Sequence, residues 1–360
     1  MKFLQIQVLY ETFISQLYSS DCSLNNKCYE YQLSKILSSK FSFSHYLCEE
    51  LSKLGFTTDI IFPNAQSLQA QWAKENGLSV KEILVEQIER FKPDILYIVG
   101  AVGCLDSSLL YKLKHKPKLT FGWLGSNIPP KTDWSRFDCI LSGLSELRKT
   151  ALRLGAKHSM EFYPGIPQVV FDDFPCLNNN PHYDLVFVGQ CNPVQHGKRA
   201  SFLEFLANQG LNLGLFLSGN ISHLPTILQE INKGPRFGYE MLQEIYNSKI
   251  SFDCRAKHSF LDKDIGKDQT VNMRIFETTA VGSLLLTEKF SNLNKLFEPN
   301  KDIVSFTNTT DLIEKIKYYI ENHTTRKTIS INGKMKCKNK HKLSLRALHF
   351  ANIVEHLSKK

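Results

Sequence analysis

The stretch Asn272-Met-Arg-Ile-Phe-Glu-Thr-Thr-Ala-Val-Gly-Ser-Leu-Leu-Leu-Thr287 predicts a helix that runs directly into a buried strand. Residues 274–281 form the helix, and Gly282 ends it because glycine tolerates the left-handed backbone that closes many helices. Residues 283–287 are apolar enough for a strand that is covered on both faces. A polar loop, residues 263–271, precedes the helix.

Two side chains of this helix suggest a ligand site. Glu277 lies about one turn into the helix, where a carboxylate can accept hydrogen bonds from the two hydroxyls of a ribose. The helix start favours a diphosphate, and Arg274 offers a fork of donors to phosphate oxygens. The alternative is a capped crossover helix at the protein surface, in which Arg274 and Glu277 form only an i,i+3 ion pair. These residues alone leave both interpretations open.

On either side of this stretch, apolar strand-like runs alternate with helical patterns. The predicted strands are residues 3–9, 58–62, 94–100, 118–124, 137–142 and 159–163, then 184–189, 213–217, 249–253, 283–287 and 303–306. The predicted helices include residues 44–54, 79–91, 107–114, 145–154, 199–208, 239–247, 311–322 and 344–357. Strand–helix alternation with apolar strands predicts an α/β fold built on parallel sheets.

The alternation breaks once, in a segment rich in proline and asparagine. We therefore expect two doubly wound, Rossmann-like domains, at residues 1–165 and 184–340, joined by a linker at 166–183. Residues 341–360 would form a C-terminal helix that packs back toward the N-terminal domain. Ligands of such sheets bind at the carboxyl ends of the strands, so the site is expected in a cleft between the two domains.

Composition narrows the class of protein. The 360 residues are 42% hydrophobic and contain no apolar run of about eighteen residues, so no spanning helix is expected. Nine dispersed cysteines without zinc spacing indicate reduced thiols in a cytoplasm. The net charge of +9 comes largely from a lysine-rich tract at 333–342, which lacks the interleaved aromatic residues of nucleic-acid-binding segments. That tract is either a solvated surface or a peripheral contact with an anionic membrane.

The pattern Asn272-Met-Arg-x-Phe-Glu-x-x-Ala-x-Gly-x-Leu-Leu-Leu-Thr resembles the C-terminal-domain motif of group 1 glycosyltransferases. It is most similar to the CgeB/spore-maturation-like family, which has the GT-B fold. Residues 183–190, with His196 and Arg199 after them, resemble the first strand and phosphate-side loop of that domain. Residues 54–55, 64–73 and 91–96 are similar to the acceptor-side domain.

The resemblance implies an enzyme that moves a sugar from a nucleoside diphosphate sugar to a hydroxyl of a glycan, a lipid-linked saccharide or a protein. No cofactor and no metal are expected. Asp262 and Asp264 have the Asp-x-Asp spacing of metal-dependent transferases, but they lie in a charged loop of the second domain. Two alternatives remain open: a degenerate GT-B protein that binds a nucleotide sugar or a partner without turnover, and a nucleotide-sugar epimerase.

The resemblance also assigns roles to residues. Glu277 would bind the ribose, and the family's other glutamate, eight positions earlier, is replaced here by Gln269. An amide can hydrogen-bond a sugar hydroxyl, but it cannot stabilise positive charge at the anomeric carbon. The predicted catalytic residues are His258 and Gln269. The predicted donor-binding residues are Gly189, Gln190, His196, Arg199, Arg255, Asn272, Arg274 and Glu277.

Overall fold

A computed structural model describes residues 1–43, 45–79, 82–100, 104–261 and 263–359. Its strands are β1 (Lys2–Gln7), β2 (Thr57–Ile61), β3 (Ile95–Val99), β4 (Leu119–Trp123), β5 (Cys139–Ser142), β6 (His158–Glu161), β7 (Tyr183–Gln190), β8 (Leu213–Ser218), β9 (Ser248–Asp253), β10 (Ser259–Phe260), β11 (Lys263–Asp264), β12 (Leu284–Glu288) and β13 (Val304–Phe306). Its α-helices are α1 (Glu11–Ser20), α2 (Tyr29–Ser38), α3 (Tyr46–Lys53), α4 (Gln66–Glu75), α5 (Ile83–Phe91), α6 (Ser107–Lys112), α7 (Ser145–Arg153), α8 (Gln168–Asp173), α9 (Pro193–Ala207), α10 (Thr226–Ile231), α11 (Gly238–Tyr246), α12 (Met273–Val281), α13 (Leu293–Leu296), α14 (Thr309–Glu321), α15 (His323–Lys340) and α16 (Leu343–Ser358).

The chain divides into two compact units. The first comprises Met1–Tyr163, Ser259–Ile265 and Ser344–Lys360, and the second comprises Pro164–His258 and Gly266–Leu343. Each unit contains one parallel sheet with helices between successive strands. No helix in the described part of the chain is long and apolar enough to cross a membrane.

The sheet of the first unit has the strand order β2-β1-β3-β4-β5-β6. The successive residues Phe3 and Leu4 of β1 point to opposite faces, and both are fully buried, so helices cover the sheet on both sides. Helix α16 belongs to this unit although it ends the chain. Its Phe350 packs edge-on against Phe3, with ring centroids 5.5 Å apart, and lies 5.0 Å from the ring of Phe121.

The sheet of the second unit has the order β13-β12-β9-β7-β8, again with all strands parallel. Its core is continuous from β8 to β13, with Leu215, Phe252 and Leu286 at most 1% exposed. The α/β class and the two doubly wound sheets are therefore confirmed. This sheet carries the α12–β12 segment from which the sequence analysis began.

Sequence patterns did not predict helices α8 and α15. Helix α8 lies inside the proline-rich segment, because its prolines flank it: Pro167 is its N-cap, and Pro175 follows its C-cap. Helix α15 contains the first part of the lysine-rich tract, and its buried face includes Gly333. A side chain at Gly333 would place its Cβ 2.3 Å from the carbonyl oxygen of Asp302, so glycine permits this close packing. Helix α15 packs against α12, and this tertiary contact stabilises a helix that propensity alone does not predict.

Candidate functional site

The second sheet has a topological switch point at the carboxyl ends of β7 and β9. Strand β7 pairs with β8 on one side and with β9 on the other, so the chain leaves β7 in one direction and returns on the opposite side. Parallel sheets bind ligands at such points. Gln190 ends β7 and Asp253 ends β9, and the start of α12 joins them there.

Helix α12 is held at this edge by its N-cap. The Asn272 side-chain oxygen accepts a hydrogen bond from the backbone N–H of Arg274 at 3.1 Å. Its amide nitrogen donates to Asp253 Oδ1 at 2.5 Å. The Arg274 guanidinium donates through Nη2 to the carbonyl oxygen of Val188 at 3.0 Å. The helix start is thereby attached to both β7 and β9, with the positive end of its dipole at the strand ends.

Glu277 and Arg274 form the i,i+3 ion pair of the surface-helix alternative, but the pair is not at the surface. Glu277 Oε2 lies 3.1 Å from Arg274 Nη1, and the two side chains are 6% and 13% exposed. Burial raises the pKa of Glu277, and the neighbouring guanidinium of Arg274 opposes this shift. The structure thus places a buried carboxylate beside an arginine, one turn into a helix at the switch point, and their roles toward a ribose and a diphosphate stay predictions.

Asp253 is a central residue of this site that the sequence analysis missed. Its carboxyl group is buried and accepts hydrogen bonds from Asn272 and, through Oδ2 at 3.1 Å, from the Thr287 hydroxyl. It therefore connects the ends of β9 and β12 to the α12 cap. Burial raises the pKa of Asp253 to about 6, against the opposing effects of Arg199 and Arg274. Its position as the last residue of a buried strand was the only available sequence signal.

The raised pKa of Asp253 predicts a measurable pH dependence of stability. Folded Asp253 keeps its proton up to about pH 6, whereas the unfolded chain loses it near 3.8. Its stabilising contribution is thus complete at low pH and is lost as the pH rises through about 6. Relative to wild type, Asp253→Asn should gain on the order of 2 to 3 kcal/mol in unfolding free energy between about pH 4 and pH 7. Urea unfolding at several pH values measures this difference.

The wild-type protein must be compared with Asp253→Asn because His196 changes the unfolding free energy with pH in the opposite direction. Burial lowers the pKa of His196 to about 3, so this residue makes the protein more stable as the pH rises toward neutrality. Taking the difference between two proteins that both contain His196 cancels its effect. A difference that stays constant across this pH range would contradict a proton held by buried Asp253.

Arg199 is buried at the switch point. It is 6% exposed, and its guanidinium donates through Nε (3.2 Å) and Nη2 (2.6 Å) to the carbonyl oxygen of Cys254 and through Nη1 to that of Gln190. The guanidinium also lies over the Phe187 ring, 5.3 Å from its centroid. A side chain at Gly189 would press against that same ring at 3.2 Å. This geometry makes Arg199 a positioning residue that connects the ends of β7 and β9.

His196 and His258 are close enough to influence each other's charge. His196 is a non-helical residue within the first turns of α9, and its Nδ1 accepts the backbone N–H of Asn192 at 2.9 Å. Burial lowers its pKa, with Arg199 and His258 acting in the same direction. The His196 imidazole is therefore neutral at physiological pH, with Nε2 carrying its proton. It can donate a hydrogen bond to a phosphate but adds no positive charge.

Glu288, at the end of β12, organises the segment that follows β9. Its Oε2 accepts the backbone N–H of Arg255 at 3.0 Å and the Cys254 thiol at 3.3 Å. Its Oε1 pairs with the exposed ammonium of Lys198 on α9. The residues after β9, which include Arg255 and lead to His258, are thus attached to α9 and β12. The backbone N–H of Lys257 also attaches this segment to α9, because it donates to the carbonyl oxygen of Gln195 at 2.9 Å.

Gln269 lies in the loop before α12. Its backbone N–H donates to the carbonyl oxygen of Gly266 at 2.9 Å. The next residue, Thr270, exchanges two hydrogen bonds with the buried side chain of Asn292, at 2.9 and 2.7 Å. The loop therefore has a defined position relative to α12. Asp262, the first residue of the Asp-x-Asp spacing, lies outside the residues that the structure describes.

All ten predicted site residues belong to the second unit. The contacts above bring together the ends of β7 and β9, the first turns of α9 and the start of α12. The roles assigned to individual residues stay predictions. Sequence reasoning missed Asp253, Glu288 and Asn292, which hold the others through contacts between residues distant in the chain.

Comparisons with known proteins agree with this arrangement. Residues 199–352 match a family model described as glycosyl transferase-like. The structure is similar to a glycosyltransferase from Rickettsia africae (TM-score 0.57, 13% identity, covering 100% of this chain and 99% of that one). It is also similar to Anabaena HepE in complex with UDP and glucose (0.56, 10%, 99% and 100%) and to the sucrose-phosphate synthase of Thermosynechococcus elongatus (0.57, 9%, 99% and 99%). No curated protein matches the sequence.

The fold is therefore GT-B, as predicted, and residues 199–352 are similar to the glycosyl transferase-like family. At identities of 9% to 13%, the structural neighbours show the fold alone. The more specific resemblance to the CgeB/spore-maturation-like family stays a prediction.

Proposed function

We propose that this protein is a glycosyltransferase that moves a sugar from a nucleoside diphosphate sugar to a hydroxyl acceptor. One observation carries the proposal: the capped start of α12 lies at the switch point of the second sheet, among residues that match the glycosyl transferase-like family model, with Arg274 and Glu277 paired there at 3.1 Å. Glu277 is the residue proposed to bind the ribose, and the α12 start with Arg274 is proposed to bind the diphosphate.

The chemistry requires stabilisation of the departing diphosphate. Negative charge grows on its oxygens as the bond to the anomeric carbon breaks, and fixed donors at that place lower the barrier. Arg274, Arg255 and the N–H groups at the helix start supply such donors from the chain itself, and we propose that transfer needs no metal. Neutral His196 adds a hydrogen bond through Nε2, and His258 is the remaining donor near the leaving group.

A second candidate function rests on Gln269. This residue stands eight positions before Glu277, where the resembling family has a glutamate beside the donor sugar. A glutamine there leaves the developing positive charge of the sugar without a carboxylate. The second candidate is accordingly a GT-B protein that binds a nucleotide sugar without transferring it.

Turnover of a donor panel separates the two functions. Because Anabaena HepE was solved with UDP and glucose, UDP-glucose is the first donor to test, followed by other UDP and GDP sugars. We expect release of free nucleotide, slowly to water and faster once a saccharide or lipid-linked acceptor is added. Calorimetry on the same panel reports binding. Binding of a nucleotide sugar without release under any acceptor condition would support the non-catalytic candidate instead.

A further inference from the structure

Helix α15 presents a mixed apolar and cationic face to solvent. Ile331 and Met335 are 45% and 58% exposed, and they lie on the same side of the helix because they are four residues apart. The opposite side, which includes Arg326, Ile329 and Cys337, is buried. Two large exposed apolar side chains at this spacing form a stripe with no partner among the described residues.

Lysines border this stripe on one side. Lys327, Lys334 and Lys338 lie within about 60° of Ile331 around the helix, as the 3.6-residue period places them. Lys327 donates to the side-chain oxygen of Asn179 at 2.8 Å, and Lys334 donates to the carbonyl oxygen of Phe174, both neutral partners. In the described part of the chain, none of the three forms an ion pair.

Acidic residues are absent from the helix itself. None of the eighteen residues of α15 is aspartate or glutamate. Glu321 precedes the helix, and Asp302 lies 3.8 Å from Lys336 on the side away from the stripe. Within α15, the charged side chains next to Ile331 and Met335 are therefore all lysines.

A cavity of mixed polarity borders the stripe on its other side. It has a volume of about 370 Å³, and its lining combines Tyr319 and Ile329 with the side chains of Asn300, Lys301, Thr324, Thr325, Thr328 and Asn332. Thr328 and Asn332 flank Ile331 in the sequence, so the cavity opens beside the apolar side chains. Polar groups of its lining have partners within the protein: the Lys301 ammonium pairs with Glu298 at 2.9 Å, the Thr328 hydroxyl donates to the carbonyl oxygen of Thr324, and the Asn332 amide donates to that of Lys301.

We propose that this face docks onto an anionic phospholipid surface. Ile331 and Met335 enter the boundary between headgroups and acyl chains, and Lys327 and Lys338 contact the anionic headgroups. This combination of apolar insertion and basic flanks is the physical basis of interfacial helix binding. Attachment is peripheral, and it places the second unit beside a membrane whatever its catalytic activity.

Vesicle co-sedimentation of the full chain tests the proposal. We expect binding to vesicles of phosphatidylcholine with phosphatidylglycerol and much weaker binding to phosphatidylcholine alone. Lys327→Gln with Lys338→Gln should lower binding about ten-fold or more. Ile331→Ser with Met335→Ser should lower it as well. The matched control, Lys35→Gln with Lys74→Gln, removes the same charge from exposed positions of α2 and α4 and should bind like wild type.

Three results would overturn this assignment. Equal loss in the control and the α15 lysine variant would show that net charge alone attracts the protein. Binding to nucleic acid without binding to vesicles would assign the face to another polyanion. Complete competition by soluble glycerol phosphate would mean a site for a free phosphate ester and not a membrane surface. Because each readout is binding, none depends on glycosyl transfer.

Discussion

Replacing Glu277 with glutamine should weaken the binding of a nucleoside diphosphate by about ten- to a hundred-fold. A carboxylate that accepts hydrogen bonds from ribose hydroxyls contributes about 1.5 to 3 kcal/mol, and each 1.4 kcal/mol is roughly a factor of ten in affinity. Glutamine keeps the side-chain volume but carries only one acceptor oxygen and no charge. Isothermal titration with UDP, and with GDP if UDP does not bind, measures the change.

The structure adds a condition to this experiment, because Glu277 is also the partner of buried Arg274. Loss of the carboxylate leaves the buried positive charge of Arg274 without its counter-charge, and this lowers the unfolding free energy. The unfolding free energy of Glu277→Gln must therefore be measured beside its affinity. Glu240→Gln, on the exposed side of α11, is the matched control and should change neither quantity. If a folded Glu277→Gln protein binds with wild-type affinity, the ribose assignment is wrong.

Replacing Arg199 with alanine should lower the unfolding free energy by about 3 to 5 kcal/mol, the usual effect of breaking a buried charged network. The change removes the donors to the carbonyl oxygens of Cys254 and Gln190 and leaves a cavity beside Phe187. Arg199→Lys should recover only part of the loss, because a single ammonium cannot reproduce the planar fork of the guanidinium. Urea unfolding measures both variants.

Lys198→Ala is the natural control, since Lys198 is the neighbouring residue and its side chain is 67% exposed. It loses a solvent-screened pair with Glu288, so its unfolding free energy should change by less than about 1 kcal/mol. An Arg199→Ala protein of wild-type stability that no longer binds a nucleotide would show the reverse of our assignment. Arg199 would then be a ligand contact and not a positioning residue.

Local patterns predicted most of the architecture. Continuous apolar runs such as residues 94–100 and 249–253 match β3 and β9 to within about two residues, because a strand buried on both faces must be apolar throughout. The α12–β12 segment was readable for a similar reason, since Asn272 and Gly282 mark the helix ends chemically. Helices α8 and α15 were not readable, because flanking prolines and tertiary packing determine them.

In the candidate site, too, some features follow from the local sequence and others from tertiary contacts. Glu277, Arg274 and Asn272 belong to one short stretch, so the sequence alone determined their spacing at the start of one helix. Asp253, Glu288 and Asn292 reach their partners only in the folded protein. Asp253 contacts Asn272 across 19 positions, Glu288 contacts Arg255 across 33, and Asn292 contacts Thr270 across 22.

These separations explain what the sequence left undecided. Local sequence does not predict that the carboxylate at the end of β9 accepts a hydrogen bond from the cap of α12. This contact forms only when the parallel strands bring their carboxyl ends to one edge of the sheet. Burial at that edge then raises the pKa of Asp253 and lowers that of His196. The residue types of the site were thus determined locally, whereas its charge states and its fixed geometry were decided by tertiary structure, since desolvation and long-range hydrogen bonds depend on packing.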